Sequence, residues 1–170
     1  MKTEKKVCLI TGATNGLGKF AAAALASQNI HVVITARNNE KGKAALEYIK
    51  KSVPDASLDY FVCDHSSQKS IRKLADDFSE TYNKLDILIN NVGAVFSELK
   101  YSEDNIEMQF ATNHLAPFLL TNLLLDLLKQ SAPARIINVA SGSHYQGKIN
   151  FDDLYFSKKY WAMTAYEQSK

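Results

Sequence analysis

Cysteine, proline, glycine and histidine are scarce in these 170 residues, with two, three, seven and four of each. Two cysteines cannot build the several-bridge framework that supports small secreted domains. Both sit in apolar runs, Val7-Cys8-Leu9-Ile10 and Phe61-Val62-Cys63, and read as buried thiols of a reducing compartment. The histidines His31, His65, His114 and His144 are scattered, with no His-Glu-x-x-His pattern and no cysteine cluster, so no metal site is expected. So few prolines and glycines leave no room for a linker or low-complexity tract, and no internal repeat occurs. Charge of one sign is lacking too. Twenty Lys/Arg against eighteen Asp/Glu give +2, too even a balance to suggest a nucleic-acid or polybasic membrane partner. No apolar run is long enough to span a membrane, since Leu115 to Leu128 is interrupted by Pro117, Thr121, Asn122 and Asp126. The charged opening, Met1 to Lys6, has no signal-peptide hydrophobic region after it, so a soluble cytoplasmic protein is expected.

What is present is an even alternation of two kinds of segment. A 46% hydrophobic, 22% charged chain of this length forms one domain, 1–170, with a substantial core. Short β-branched runs predict strands at 7–11, 30–36, 58–63, 85–90 and 134–140. Val32-Val33-Ile34 and Ile87-Leu88-Ile89 are nearly continuous, as in a sheet covered on both faces. Helical spacing fills the intervals: the alanine-rich 17–28, then 40–51, then 68–82 opened by the cap candidates Ser66 and Ser67. A long helical stretch is predicted over 104–129, with a bend near Pro117. Such alternation implies right-handed βαβ units and an α/β doubly wound parallel sheet of the Rossmann type, with helices on both faces. Ligands bind such sheets at the carboxyl ends of the strands.

The first strand exits into Thr11-Gly12-Ala13-Thr14-Asn15-Gly16-Leu17-Gly18 and then a helix. Glycines there allow unusual dihedrals and bring backbone N–H groups against a pyrophosphate at the helix N-terminus. A ligand-free glycine turn is the competing reading, but strand before and helix after favour a dinucleotide. No Lys-Ser/Thr pair follows, which argues against a P-loop hydrolase. Where the second strand ends, Arg37 stands and no carboxylate occurs until Glu40, a pattern that suits the 2′-phosphate of NADP(H) over NAD(H), with a solvated surface arginine as the competing reading.

With these residues in view, the chain resembles the short-chain dehydrogenases/reductases over essentially its whole length. Gly12, Gly16 and Gly18, with Thr14, Asn15 and Leu17 between them, look like the family's cofactor loop. Asp64 looks like the residue that meets the adenine ring. Asn90-Asn91-Val92-Gly93 is similar to the Asn-Asn-Ala-Gly turn, which places Asn91 and Gly93 against the cofactor. Asn113, Ser141, Tyr166 and Lys170 resemble the catalytic tetrad. Two Tyr-x-x-x-Lys pairs exist. Tyr155/Lys159 lies 14 residues past Ser141, whereas Tyr166/Lys170 lies 25 past it, with Ala165 and Ser169 also matching. The second pair fits the retinol dehydrogenase-like branch, and Tyr155/Lys159 remains the alternative.

The resemblance implies hydride exchange between NADP(H) and the carbonyl or alcohol of a small apolar substrate. Tyr166 would transfer the proton, with Lys170 lowering its pKa from one helical turn away. Ser141 would hydrogen-bond the substrate oxygen. It also implies that Tyr166 and Lys170 touch the cofactor, that Lys170 holds its ribose and that Asn113 holds a water. The aromatic-rich segment with Tyr145, Phe151, Tyr155, Phe156, Tyr160 and Trp161 either walls a substrate pocket or packs. Family members continue beyond the point matching Lys170, so the sheet is expected to have about five strands in the order 3-2-1-4-5, and turnover and any homo-oligomer are expected to need that C-terminal part. The alternative function is a truncated dinucleotide-binding module with little or no activity. A site in a last helical turn would also be loosely held.

Overall fold

The computed structural model describes residues 5–170. Five strands, β1 (Val7–Ile10), β2 (His31–Ala36), β3 (Leu58–Val62), β4 (Ile87–Asn90) and β5 (Arg135–Asn138), form one parallel sheet in the order β3-β2-β1-β4-β5. Helices α1 (Gly16–Ala26), α2 (Asn39–Ser52) and α3 (Gln68–Thr81) connect the first four strands. A π-helical turn (Phe110–Leu115) leads into α4 (Ala116–Leu123) and α5 (Leu125–Gln130), and α6 (Ala162–Ser169) follows β5. The expected strand order is therefore the observed one, and the strands are shorter than predicted because each ladder stops where its chain turns away.

Alternating side chains send β1 to two separate cores. Leu9 points with Val33 and Leu88 toward Ile71, Leu74 and Phe78 of α3 and Leu120 of α4. Cys8 and Ile10 point the other way, with Val32, Ile34 and Ile89, onto Ala22 and Ala26 of α1 and Ala45 and Ile49 of α2. Alanines on α1 let it lie close to the sheet, while each fully buried Leu or Ile contributes roughly 1.5–3 kcal/mol. Both cysteines are free, and burial pushes the Cys8 thiol up to about 12 and the Cys63 thiol up to about 11. α2 is capped by Asn38, which accepts from the Lys41 N–H at 2.9 Å, and α3 by Ser67, which accepts from the Ser70 N–H at 3.1 Å.

The stretch 104–129 departs from the expected single helix. Residues 101–107 instead make a tight turn closed by a Tyr101–Glu107 bridge, with Asn105 at φ 57°. Its cause is local competition: Ser102 Oγ accepts from the Asp104 and Ile106 N–H groups, which an α-helix would direct elsewhere. Helix begins after Glu107, whose buried carboxylate accepts from the Gln109 and Phe110 N–H groups at 2.9 and 2.7 Å. The distortion lies just before Pro117. The Ala116 N–H reaches back five residues to the Ala111 carbonyl, and Pro117 then sits in the first turn of α4, where its missing N–H does no harm.

Register aligns the carboxyl ends of all five strands. Ile10 pairs with Ile34 and with Ile89, Ala36 with Val62 and Asn90 with Asn138. Thr11, Arg37, Cys63, Asn91 and Val139 thus leave the sheet along one edge.

Candidate active site

A cleft of about 530 Å³ runs along that edge. Gly12, Thr14, Asn15, Gly16, Leu17 and Gly18 line it from β1, Arg37 from β2, Asp64 from β3, and Asn91 and Gly93 from β4. All ten sequence-predicted cofactor residues outside α6 therefore share one cavity. The turn is drawn tight by Asn91, whose amide donates to the Thr11 and Gly12 carbonyls at 2.9 and 3.1 Å. Thr11 Oγ1 accepts from the Asn91 and Val92 N–H groups in return. Gly18 is required by proximity, since a β-carbon there would lie 2.4 Å from Asn91 Nδ2. Asn15 precedes α1 without giving it a side-chain cap, so the first N–H groups of that helix open on the cleft. This combination of glycine turn, uncapped helix N-terminus and open space beside Gly16 fits a pyrophosphate.

At the far end of the turn, burial raises the Asp64 carboxyl. The Ser66 N–H and hydroxyl, donating at 2.9 and 2.7 Å and helped by Arg37 and His65, outweigh that and hold it below the usual carboxylate range. Arg37 is exposed, and Lys41 from the first turn of α2 joins it on the cleft wall. Lys41, Thr35, His65, Phe96, Met108 and Thr112 line the cleft without having been singled out from sequence. Only Lys41, one helical turn past Arg37, carried a readable signal.

Of the other predicted site residues, Lys170 and Asn113 meet beside Gly93. A β-carbon on Gly93 would lie 3.5 Å from Lys170 Nζ and 3.8 Å from Asn113 Oδ1. Lys170 Nζ donates to the Val139 carbonyl at 2.6 Å, and burial lowers its pKa. Asn113 is buried with both amide hydrogens engaged: Oδ1 accepts from the Ala94 N–H at 2.8 Å, while Nδ2 donates to the Ala94 carbonyl and Ser169 Oγ, both at 2.9 Å. The last turn of α6 is thus tied down, not loose. Tyr166 is half-buried one turn before Lys170. Ser141 caps a short 3-10 turn, with Oγ accepting from the Ser143 N–H at 3.2 Å, which leaves its hydroxyl proton free to donate. His144 covers the Ser141 carbonyl through Nδ1 at 2.5 Å. Between α4 and the end of β5 lies a second cavity of about 320 Å³, lined by Asn113, His114, Phe118, Val139, Ser169 and Lys170 among others.

Tyr155 and Lys159 are engaged elsewhere: Tyr155 packs on Tyr101 and Phe110, and the Lys159 ammonium lies over the Trp161 ring. The aromatic segment divides. Tyr160 is held by Gln109 at 2.7 Å and Glu107 at 3.1 Å, while Tyr145, Phe151 and Trp161 are exposed. Gln168 secures the loop before it, accepting from the Asn150 N–H and donating to the Leu154 carbonyl. Gln109, Glu107 and Gln168 carried no sequence signal as positioning groups, because their partners are distant in the chain.

The family model described as short chain dehydrogenase matches residues 6–161. This chain belongs to that family. Human retinol dehydrogenase 13 is 44% identical over 166 residues, covering 97% of this chain and 50% of the relative. The chloroplastic short-chain dehydrogenase TIC 32 B of Brassica napus is 43% identical, over 95% of this chain and 53% of the relative. A metagenomic short-chain oxidoreductase solved in complex with NADP is 26% identical at a TM-score of 0.76, with 97% and 70% covered. The chain spans about half the length of the curated relatives it matches. Among the described residues, no helix is long and apolar enough to cross a membrane.

Proposed function

We propose that this chain carries the cofactor-binding and proton-transfer parts of an NADP(H)-dependent oxidoreductase acting on the carbonyl or alcohol of a small apolar molecule. The observation that carries the reading is the meeting at Gly93, where the nucleotide-shaped cleft runs into Lys170 and Asn113. NADP(H) over NAD(H) is supported by Arg37 and Lys41 on the cleft wall, and by the NADP complex of the metagenomic relative. An apolar substrate is supported by the retinol dehydrogenase relatives.

When bound, the nicotinamide supplies the hydride chemistry. Tyr166 then gives the substrate oxygen its proton, or takes it in the reverse direction. The half-buried Lys170 ammonium, one turn on, is the cation that would stabilise the phenolate. Ser141 donates its free hydroxyl proton to the substrate oxygen. Asn113 has both amide hydrogens engaged, but its Oδ1 accepts only from the Ala94 N–H and keeps a lone pair with which to hold a water. A cytoplasmic location belongs to the same reading, supported by two free thiols suited to a reducing compartment.

A panel of carbonyl substrates with NADPH tests the catalytic assignment. Tyr166→Phe is expected to lower turnover by about a hundredfold or more while NADPH still binds; equal rates would remove Tyr166 from the chemistry. Arg37→Asp is expected to shift preference toward NADH, and an unchanged ratio would remove the 2′-phosphate contact. Because the chain matches half of its relatives' length, a dinucleotide-binding module without turnover is the second reading. Tight NADPH binding with no substrate consumed by the wild-type chain would establish it.

A further inference from the structure

The turn at Gly12 is held from two sides, and the nucleotide-binding residues explain only one of them. On the β4 side stand Asn91 and Thr11. On the β2 side the Gly12 N–H donates to Thr35 Oγ1 at 3.0 Å, and that hydroxyl is bonded in turn to His65 Nε2 at 2.8 Å. His65 is 8% exposed, and Thr35 is buried at the end of β2. Burial pushes the imidazole down to about 4, with Asp64 raising and Arg37 lowering it, so the ring is neutral at neutral pH. A neutral imidazole nitrogen can make this bond without bringing a charge into the turn.

The arrangement has a mechanical consequence. A threonine hydroxyl can occupy more than one staggered rotamer, and only some of them present an oxygen to the Gly12 N–H. The bond to His65 fixes that choice. Gly12 is in turn the residue with φ 66° at which the chain leaves β1 for the pyrophosphate turn. His65 also follows Asp64 directly, so one chain of contacts joins the wall where Asp64 stands to the turn at the other end of the cleft.

We infer that His65 is a positioning residue for the dinucleotide: through Thr35 it pre-forms the Gly12 turn that receives the pyrophosphate. This rests on the cofactor reading above. Its contribution is to affinity through preorganisation, because a turn already in its bound shape has less conformational freedom to lose.

The test is NADPH fluorescence titration of the 170-residue chain and its variants, with far-UV circular dichroism confirming that each is folded. His65→Leu is expected to weaken NADPH by about five- to tenfold, as loss of one net hydrogen bond would. His65→Gln, whose amide can bond the same hydroxyl, is expected to stay within about twofold of wild type. On the other side of the contact, Thr35→Ser retains affinity and Thr35→Val loses it. In the Thr35→Val background, His65→Leu adds nothing further, since the contact is already gone. A general packing role for His65 would instead give additive losses and no rescue by glutamine. His65→Leu binding like wild type, additive losses, or glutamine faring no better than leucine each overturn the positioning role while wild-type binding upholds the cofactor reading. Failure of the wild-type chain to bind NADPH overturns both.

Discussion

Gly12 and Gly16 both adopt left-handed backbone, at φ 66° and 51°, yet their surroundings differ. A β-carbon on Gly12 would lie 2.6 Å from Val92 Cγ2, whereas one on Gly16 would meet nothing within 4 Å. Gly16→Ala is therefore expected to cost only the dihedral penalty, about 1–2 kcal/mol, and Gly12→Ala clearly more, by urea denaturation. Equal losses would contradict the contrast. Because the space beside Gly16 belongs to the cleft, Gly16→Ala is also expected to weaken NADPH by about tenfold or more. A second residue-scale expectation concerns acid. His65 titrates near 6.5 when unfolded and near 4 when folded, so between those values the unfolded chain binds more protons. Stability is accordingly full above about pH 6.5 and falls as pH drops toward 4, by about 3 kcal/mol in all. His31, also lowered mainly by burial, adds in the same direction. Denaturation at pH 7 and pH 4.5 should show a smaller acid loss in His65→Leu than in wild type; parallel losses would show that His65 is not buried neutral.

At the scale of elements, α6 is held by partners far away in sequence. Asn113 in the π-helical turn bonds Ser169, Gln109 Nε2 donates to the Ala162 carbonyl at 2.9 Å, and Gly147 passes so close that a β-carbon would lie 2.6 Å from the Glu167 carbonyl oxygen. Asn113→Ala removes three hydrogen bonds from a buried site and is expected to cost about 2–4 kcal/mol in equilibrium unfolding. A loss under about 0.5 kcal/mol would mean that α6 is positioned without it. These attachments mark where sequence reading stopped. Strands such as Val32-Val33-Ile34 were legible because burial on both faces demands continuous β-branched residues, and the glycine turn because its dihedrals demand glycine. Residues 104–107 follow the helical spacing yet form a turn, because Ser102 and Asn105 override that spacing. Gln109 and Tyr160 form one buried contact across 51 positions, and no periodicity records such a pairing. In the sequence His65 is one of four scattered histidines, because only the parallel pairing of β2 with β3 brings it to Thr35.

For the molecule as a whole, the site is a property of the sheet's carboxyl edge. β1 to β4 each send residues to the cleft, and the two cores flank that same sheet, α1 and α2 on one face and α3 and α4 on the other. A dinucleotide lying along the edge would meet segments leaving β1 to β4, so its binding would resist global unfolding, not the opening of one loop. Linkage gives about 2.7 kcal/mol of added stability when free ligand is 100 times its Kd. For a chain of this size each kcal/mol raises Tm by roughly 2–4 °C, so NADPH at that level should raise it by about 5–10 °C. NADH at the same concentration should raise it less, because Arg37 and Lys41 then have no 2′-phosphate to meet. Arg37→Asp should bring the two shifts together by lowering the NADPH value. Equal shifts in the wild-type chain would mean that the cations at the end of β2 stand in solvent and take no part in choosing the cofactor.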